Sequence, residues 1–172
     1  MTTVEVLDAD ATARSAGALA AILKDSVDGG ASVGFLPPLG AAEATAYWRE
    51  VADAVRGGTR VLLAARDSDG GLVGTAQLDL PEKPNARHRA EAMKVMVLTR
   101  ARRRGVGRAL MLALEAHARR LGRTTLVLDT RQDDPSEKLY LSVGWRPAGV
   151  IPRYAESAGG ALDGSAFYYR LL

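Results

Sequence analysis

The chain has 172 residues, enough to bury one hydrophobic core and too few for two comfortable domains. Its composition, 47% hydrophobic and 25% charged, is that of an ordinary globular domain, and its net charge of +3 argues against a protein that is basic throughout. The absence of Cys excludes disulfides, thiolate metal sites and a cysteine nucleophile. With only two His, a zinc site or a serine–histidine triad is disfavoured. We therefore expect one domain over residues 1–172, without a metal.

The first residues carry no targeting pattern. Residues 1–5 have neither a basic n-region nor an apolar h-region, and no uninterrupted apolar run approaches the ~20 residues of a membrane span. We therefore expect a cytoplasmic protein with no membrane partner.

In the N-terminal half, apolar periodicity and turn residues predict two helices and three strands. The first helix should end at Asp28-Gly29-Gly30. Pro37-Pro38 is incompatible with helix, so residues 34–39 are predicted to form a loop. The predicted elements are strand 2–7, helices 11–27 and 41–55, and strands 60–66 and 72–80.

The C-terminal half continues as an alternation of strands and helices. The predicted elements are strand 91–98, helix 109–121, strand 124–129, helix 135–141, and strands 146–151 and 165–172. The resulting order, β-α-α-β-β-β-α-β-α-β-β, predicts a single α/β domain built on a mixed sheet.

The most informative segment is Arg102-Arg103-Arg104-Gly105-Val106-Gly107-Arg108-Ala109-Leu110, which joins an apolar strand to a helix. Its glycines allow a ligand to approach the backbone closely. The helix behind them offers unpaired N–H groups and the positive end of its dipole, and the arginines add charge-assisted contacts to phosphate. The segment therefore predicts a site for a phosphorylated cofactor.

Two common phosphate-binding patterns do not fit this segment. A dinucleotide fingerprint would need a third glycine where Leu110 stands, and its first glycine would follow the strand almost directly. A P-loop would need Gly-Lys-Ser/Thr, which does not occur here. The pattern that fits is Arg/Gln-x-x-Gly-x-Gly/Ala, from Arg102 through Gly107.

This pattern resembles the acyl-CoA-binding motif of the GCN5-related N-acetyltransferases. Residues 138–145, Lys-Leu-Tyr-Leu-Ser-Val-Gly-Trp, are similar to the second signature of that family, and the element order matches it from about residue 2 to 172. The resemblance implies a single-domain fold with a mixed, mostly antiparallel sheet, a parallel central strand pair and flanking helices. Within the family, the chain looks closest to tabtoxin-resistance acetyltransferases, at residues 34–39, 88–91, 128–131 and 151–155.

The resemblance also implies acetyl-CoA as the co-substrate. In the family, amides of the motif loop hold the CoA pyrophosphate, and the preceding strand pairs with the pantetheine arm. The cofactor-binding residues implied here are Met96, Val97, Arg102, Arg103, Arg104, Gly105, Val106, Gly107, Arg108 and Ala109.

Acetyl transfer to an amine needs a base that takes the amine proton and an acid that protonates the departing thiolate. Glu91 lies on the strand before the motif and Asp129 ends the following parallel strand, so both can face the gap between these strands. Tyr140 lies on the next helix. The resemblance implies Glu91 and Asp129 as bases and Tyr140 as the acid; the sequence leaves open which carboxylate acts, and we favour a shared water. The absence of Cys favours direct transfer in a ternary complex.

The acceptor is less well defined. Phe35 and Trp48 lie in the two-helix region that often forms the acceptor wall in this family, and His88 is a loop residue that is a candidate to contact the substrate. The predicted reaction is acetylation of a primary amine on a small molecule, for instance in detoxification or antibiotic modification, by a monomer or a homodimer. Protein or peptide N-acetylation is an alternative. An arginine-rich nucleic-acid-binding module is another, disfavoured by the low net charge and by the lack of aromatics among residues 100–108.

Overall fold

A computed structural model describes residues 2–172. These residues form seven strands and five helices, with short 3₁₀ turns at Pro84–Ala86 and Thr99–Ala101. None of these helices is long and apolar enough to cross a lipid bilayer. The elements are β1 (Thr3–Leu7), α1 (Ala9–Arg14), α2 (Ala16–Asp28), α3 (Ala41–Arg56), β2 (Arg60–Arg66), β3 (Leu72–Asp79), β4 (Arg89–Val97), α4 (Val106–Arg120), β5 (Thr125–Arg131), α5 (Ser136–Ser142), β6 (Arg146–Glu156) and β7 (Leu162–Leu171).

The seven strands form one sheet in the order β1-β2-β3-β4-β5-β7-β6. The central pair, β4 and β5, is parallel, and the other neighbours are antiparallel. Only three residues of each strand are paired: Arg89–Glu91 of β4 lie beside Thr125–Val127 of β5. Beyond these residues the two strands separate. The predicted fold class is therefore confirmed, and the sheet has an opening at its centre.

A bulge in β4 exchanges the two faces of that strand. Thr75 pairs with Met96 and Gln77 with Met93, so β4 has an extra residue here, and Lys94 takes a left-handed conformation with φ 52°. Before the bulge, Ala92 packs in the core beneath α4 and α5. After the bulge, Met96 packs in the second core, against α2 and α3. In a regular strand Ala92 and Met96, four residues apart, would lie on the same face of the sheet.

The predicted helix 11–27 is in fact two helices, α1 and α2, with a break at Ser15. Asp8 caps α1, because its side chain accepts a hydrogen bond from the Ala11 amide at 2.7 Å. The Ser15 amide bonds back to the carbonyl of Ala11 at 3.0 Å, and its ψ of 2° ends the helix. The chain therefore turns within an Ala-rich segment that the periodicity had predicted to be continuous.

Candidate active site

The motif loop uses its two glycines for different reasons. Gly105 precedes α4 with φ +81°, a conformation that favours glycine, and a Cβ built there would meet no atom within 4 Å. A Cβ on Gly107 would lie 3.0 Å from the Leu139 Cδ2 atom, so Gly107 allows α4 to pack against α5. No side chain caps the first turn of α4. The N-terminal amides of α4 therefore face open space beside Gly105.

Of the five arginines between residues 100 and 108, three form an ion pair or a hydrogen bond with another residue of the protein. These are Arg100 with the Asp67 carboxylate (3.8 Å), Arg102 with the Val97 carbonyl (3.0 Å) and Arg108 with the Ser142 carbonyl (3.2 Å). Arg103 and Arg104 are exposed and have no hydrogen-bond or ion-pair partner among the other residues described. These two side chains are the ones that can turn towards a bound phosphate.

Two of the predicted cofactor residues have buried side chains. Met96 is 2% exposed and Val106 is 3% exposed, because both belong to the hydrophobic cores on either side of the sheet. Only their backbone groups can meet a ligand. The Val97 carbonyl accepts from Arg102 and keeps a second lone pair.

A cavity of about 500 Å³ lies where β4 and β5 separate. Its walls come from the loop 30–37, from β4 and β5, from α5, and from both sides of the hairpin between β6 and β7. Glu91, Asp129, Tyr140 and Phe35 all line it, whereas the motif residues 102–109 do not. The three candidate catalytic residues thus share one cavity, and the motif loop lies outside its lining.

Glu91 and Asp129 project from the same face of the sheet. Glu91 is in register with Val127 in the parallel pair, and Asp129 follows two residues later on β5, where side chains return to the same side. Burial raises the pKa of Glu91, and the nearby carboxylates of Asp129 and Asp79 act in the same direction. Asp129 accepts a hydrogen bond of 2.6 Å from the Ser165 hydroxyl, which fixes its orientation.

Tyr140 lies on α5 and is only 6% exposed, although it lines the cavity. Its ring packs at 6.0 Å from that of Tyr168 and at 6.4 Å from that of Trp145. Burial, assisted by the negative charges of Asp134 and Asp129, raises its pKa far above the usual tyrosine range, against the opposing effect of the Ser136 hydroxyl. The phenol is therefore protonated at neutral pH and able to donate.

The three residues predicted to contact the acceptor are not brought together. Phe35 lines the cavity, and its ring packs edge-on to Tyr47 at 5.2 Å. Trp48 is 0% exposed and belongs to the core beneath α3. Adjacent residues of a helix point in different directions, so Tyr47 packs on Phe35 while Trp48 faces the core. His88 is exposed and lies outside the cavity lining; its carbonyl accepts from the Thr124 amide at 2.7 Å, which places it at the far end of β4. Trp48 and His88 are thus not positioned to contact an acceptor in this cavity.

Two cavity residues, Lys94 and Arg131, were not predicted from the sequence. Arg131 donates to the Gly30 carbonyl at 2.9 Å and pairs with Asp134 at 3.2 Å, so it ties the loop 30–37 to the end of β5. Lys94 enters the cavity because of the bulge. The sequence pattern predicts neither of them, because Arg131 and Gly30 are 101 positions apart and the bulge lies within a strand of ordinary composition.

Comparison with known proteins identifies the family. The model of the acetyltransferase (GNAT) family matches residues 33–145, which is more than half of the chain. The chain therefore belongs to this family, and it is an acetyl-CoA-dependent acetyltransferase. This assignment confirms the family resemblance and favours an enzyme over the nucleic-acid-binding alternative for residues 100–108.

Solved structures with the same fold span several kinds of acceptor. The GCN5-related N-acetyltransferase from Kribbella flavida is 27% identical, with 98% of both chains covered and a TM-score of 0.78. A phosphinothricin acetyltransferase from Sinorhizobium meliloti, solved with acetyl-CoA, is 24% identical, with 99% of this chain and 88% of that one covered and a TM-score of 0.79. A ribosomal-protein-alanine N-acetyltransferase from Brucella melitensis is 23% identical, with 99% of both chains covered and a TM-score of 0.81. The last two likenesses establish the fold alone.

Proposed function

We propose that this acetyltransferase moves the acetyl group of acetyl-CoA directly to a primary amine on a small molecule, in a ternary complex. The observation that carries the proposal is the placement of two carboxylates, Glu91 and Asp129, and a buried phenol, Tyr140, around one cavity of about 500 Å³. That volume suits a small acceptor. The phosphinothricin acetyltransferase among the similar structures is consistent with this class of substrate.

The motif loop fits the phosphates of acetyl-CoA. Open space beside Gly105 leaves room for the pyrophosphate at the N-terminus of α4, where amide groups and the helix dipole favour an anion. Arg103 and Arg104 add positive charge. The edge of β4 near Val97, where β4 and β5 have separated, would hold the pantetheine arm, and this would bring the thioester to the cavity.

Bound acetyl-CoA supplies the thioester, whose acyl carbon is attacked by the amine nitrogen as the carbon–sulfur bond breaks. The amine must first lose a proton, because an ammonium has no lone pair. Glu91 and Asp129 take this proton, directly or through a water held between them, and the raised pKa of Glu91 brings its basicity closer to that of an amine. Tyr140 delivers a proton to the departing sulfur, and the second proton that the nitrogen loses as the amide forms restores the phenol. Holding the two reactants together contributes the largest share of the rate enhancement.

A screen of acceptors tests the proposal. Release of CoA is measured with acetyl-CoA and three sets of amines: small amines including phosphinothricin, short peptides with free N-termini, and an intact protein. We expect turnover with members of the first set. Turnover restricted to peptides or protein would replace the small-molecule acceptor by the alternative substrate, which the Brucella structure exemplifies.

A further inference from the structure

Lys94 is held in a conformation that a lysine rarely adopts. It has φ 52° at the bulge of β4, in the left-handed region that costs a residue with a side chain roughly 1 kcal/mol or more. Because the bulge shifts the alternation of β4, this strained residue points its ammonium into the cavity. Backbone strain of this kind persists only where the surrounding structure enforces it, and it clusters at functional sites.

The Lys94 ammonium is not matched by any acceptor of the protein. Among residues 2–172 it has no hydrogen-bond partner, and no carboxylate oxygen lies within 4.0 Å. Its Nζ atom lies 5.9 Å from the ring centroids of both Phe35 and Tyr47, and 3.1 Å from the position of a Cβ on Gly34. Aromatic faces attract a cation at this distance but leave its N–H donors available.

The cavity is lined by more carboxylates than cations. The lining includes two cations and five carboxylates, which belong to Glu91, Asp129, Asp134, Glu156 and Asp163. The other cation, Arg131, already bonds to Asp134 and to the Gly30 carbonyl. Burial and Arg60 lower the pKa of Lys94, whereas Asp129 and Glu91 favour its charged form. Lys94 is thus the one cation of the described lining that has no ion-pair partner.

We propose that Lys94 is a specificity-determining residue that binds a carboxylate of the acceptor, close to the amine that is acetylated. An amine that reaches Glu91 and Asp129 also comes near Lys94, since all three residues line the same cavity. An acceptor without an anionic group would leave two like charges close together in a partly buried site. An acceptor with a carboxylate beside the amine neutralises Lys94 and satisfies its donors. The favoured acceptor is therefore an amino acid or another amino carboxylate.

This inference rests on the proposed small-molecule acetylation, and matched acceptors test it. CoA release is measured for the common L-amino acids, each compared with its own methyl ester and carboxamide. For the wild type we expect kcat/KM to fall about 10- to 100-fold when the carboxylate is blocked, the range for loss of a hydrogen bond to a charged group. In Lys94→Met, the free acid and the ester should differ by no more than about twofold. Lys94→Arg should retain part of the preference.

Three controls separate this effect from damage to the fold. Lys94→Met keeps a side chain of similar length at φ 52° and must bind CoA like the wild type in calorimetry. Lys83→Met removes an exposed lysine outside the cavity and should leave the preference unchanged. Mass spectrometry after incubation with acetyl-CoA alone should find Lys94 unmodified; acetylation of Lys94 itself would overturn the proposal.

The outcomes also separate this inference from the proposed function. The inference fails if wild type does not distinguish acids from esters, or if Lys94→Met keeps the preference while amines are still acetylated. A binding measurement covers the remaining case: the same amino acids and esters are titrated into the protein–CoA complex. If no amine is acetylated but the acids bind in a Lys94-dependent manner, the proposed function fails and the inference stands. If they neither react nor bind, both fail.

Discussion

The two functional regions along β4 are built in different ways. The motif loop at residues 102–109 is one continuous segment, in which the glycines, the arginines and the N-terminus of α4 are neighbours in sequence. The cavity combines residues from five elements: the loop 30–37, β4, β5, α5 and the β6–β7 hairpin. A local segment can be interpreted from spacing alone, whereas the cavity depends on where strands separate and on how one bulge rotates a side chain.

The largest effect is expected in the local region, for Gly105→Glu. The new carboxylate would occupy the open space at the N-terminus of α4 and repel the phosphates of the co-substrate. We expect no measurable CoA binding in calorimetry from a folded protein.

The matched control is Gly105→Ala, because it shares the strain of φ +81° without adding charge. Its cost should be about 1 kcal/mol in unfolding free energy, with CoA binding largely retained. If a folded Gly105→Glu protein binds CoA with the wild-type affinity, the phosphates lie elsewhere and the motif has been misassigned.

Much of the site could be predicted because a short motif fixed the register of its surroundings. Residues 102–109 carry the family resemblance, and that resemblance, together with their places on the neighbouring elements, singles out Glu91, Asp129 and Tyr140. In the structure all three line one cavity. Their catalytic roles stay predictions. Lys94 could not be found in this way, because a strand with regular alternation gives no sign of the extra residue that turns Lys94 towards the cavity.

The fold shows the same limit. Periodicity located every strand of the sheet, yet it merged α1 and α2, because an Ala-rich segment has no strong apolar stripe to mark the turn at Ser15. It also ended β6 near residue 151, although this strand continues to Glu156 past an irregular register between Ile151 and Ala155. Breaks that depend on tertiary pairing leave little trace in local composition.

In the cavity, the largest effect is expected for Tyr140→Phe. Removing the hydroxyl takes away the proposed proton donor and keeps the ring that packs against Tyr168 and Trp145. General acid steps contribute roughly 10²–10⁴-fold, so kcat should fall within that range while the KM for acetyl-CoA hardly changes. Steady-state kinetics decide the point: a kcat within about twofold of the wild type would leave Tyr140 with a packing role only.

The carboxylates should give a smaller effect and a distinctive pH dependence. A base acts in its deprotonated form, so kcat/KM should rise with pH through the pKa of Glu91, which lies above its ordinary 4.5. Glu91→Gln and Asp129→Asn should each lower kcat/KM by about 10²-fold at neutral pH, the lower end of the range for general base catalysis. The pH–rate profile should lose or displace its acidic limb.

The double variant distinguishes a shared water from a single base. If both carboxylates hold one water, Glu91→Gln/Asp129→Asn should be little slower than either single variant, because groups that act as a unit are not additive. If only one residue is the base, its variant alone should lose the acidic limb. Unaltered profiles in both single variants would remove Glu91 and Asp129 from the mechanism and leave deprotonation to solvent.

The smallest effects are expected for Phe35 and Trp48, two aromatic residues that the sequence predicts equally as acceptor contacts. Phe35 lines the cavity, whereas Trp48 is 0% exposed in the core, so they should fail in different measurements. Phe35→Leu removes a ring from the cavity wall and should raise the acceptor KM by about 2- to 10-fold, as expected for loss of an aromatic contact. Trp48→Phe should leave KM unchanged and lower the free energy of unfolding by about 1–3 kcal/mol. Acceptor kinetics and denaturant unfolding of both variants separate the two roles. An acceptor KM that rises for Trp48→Phe and not for Phe35→Leu would mean that the acceptor binds outside the cavity between β4 and β5.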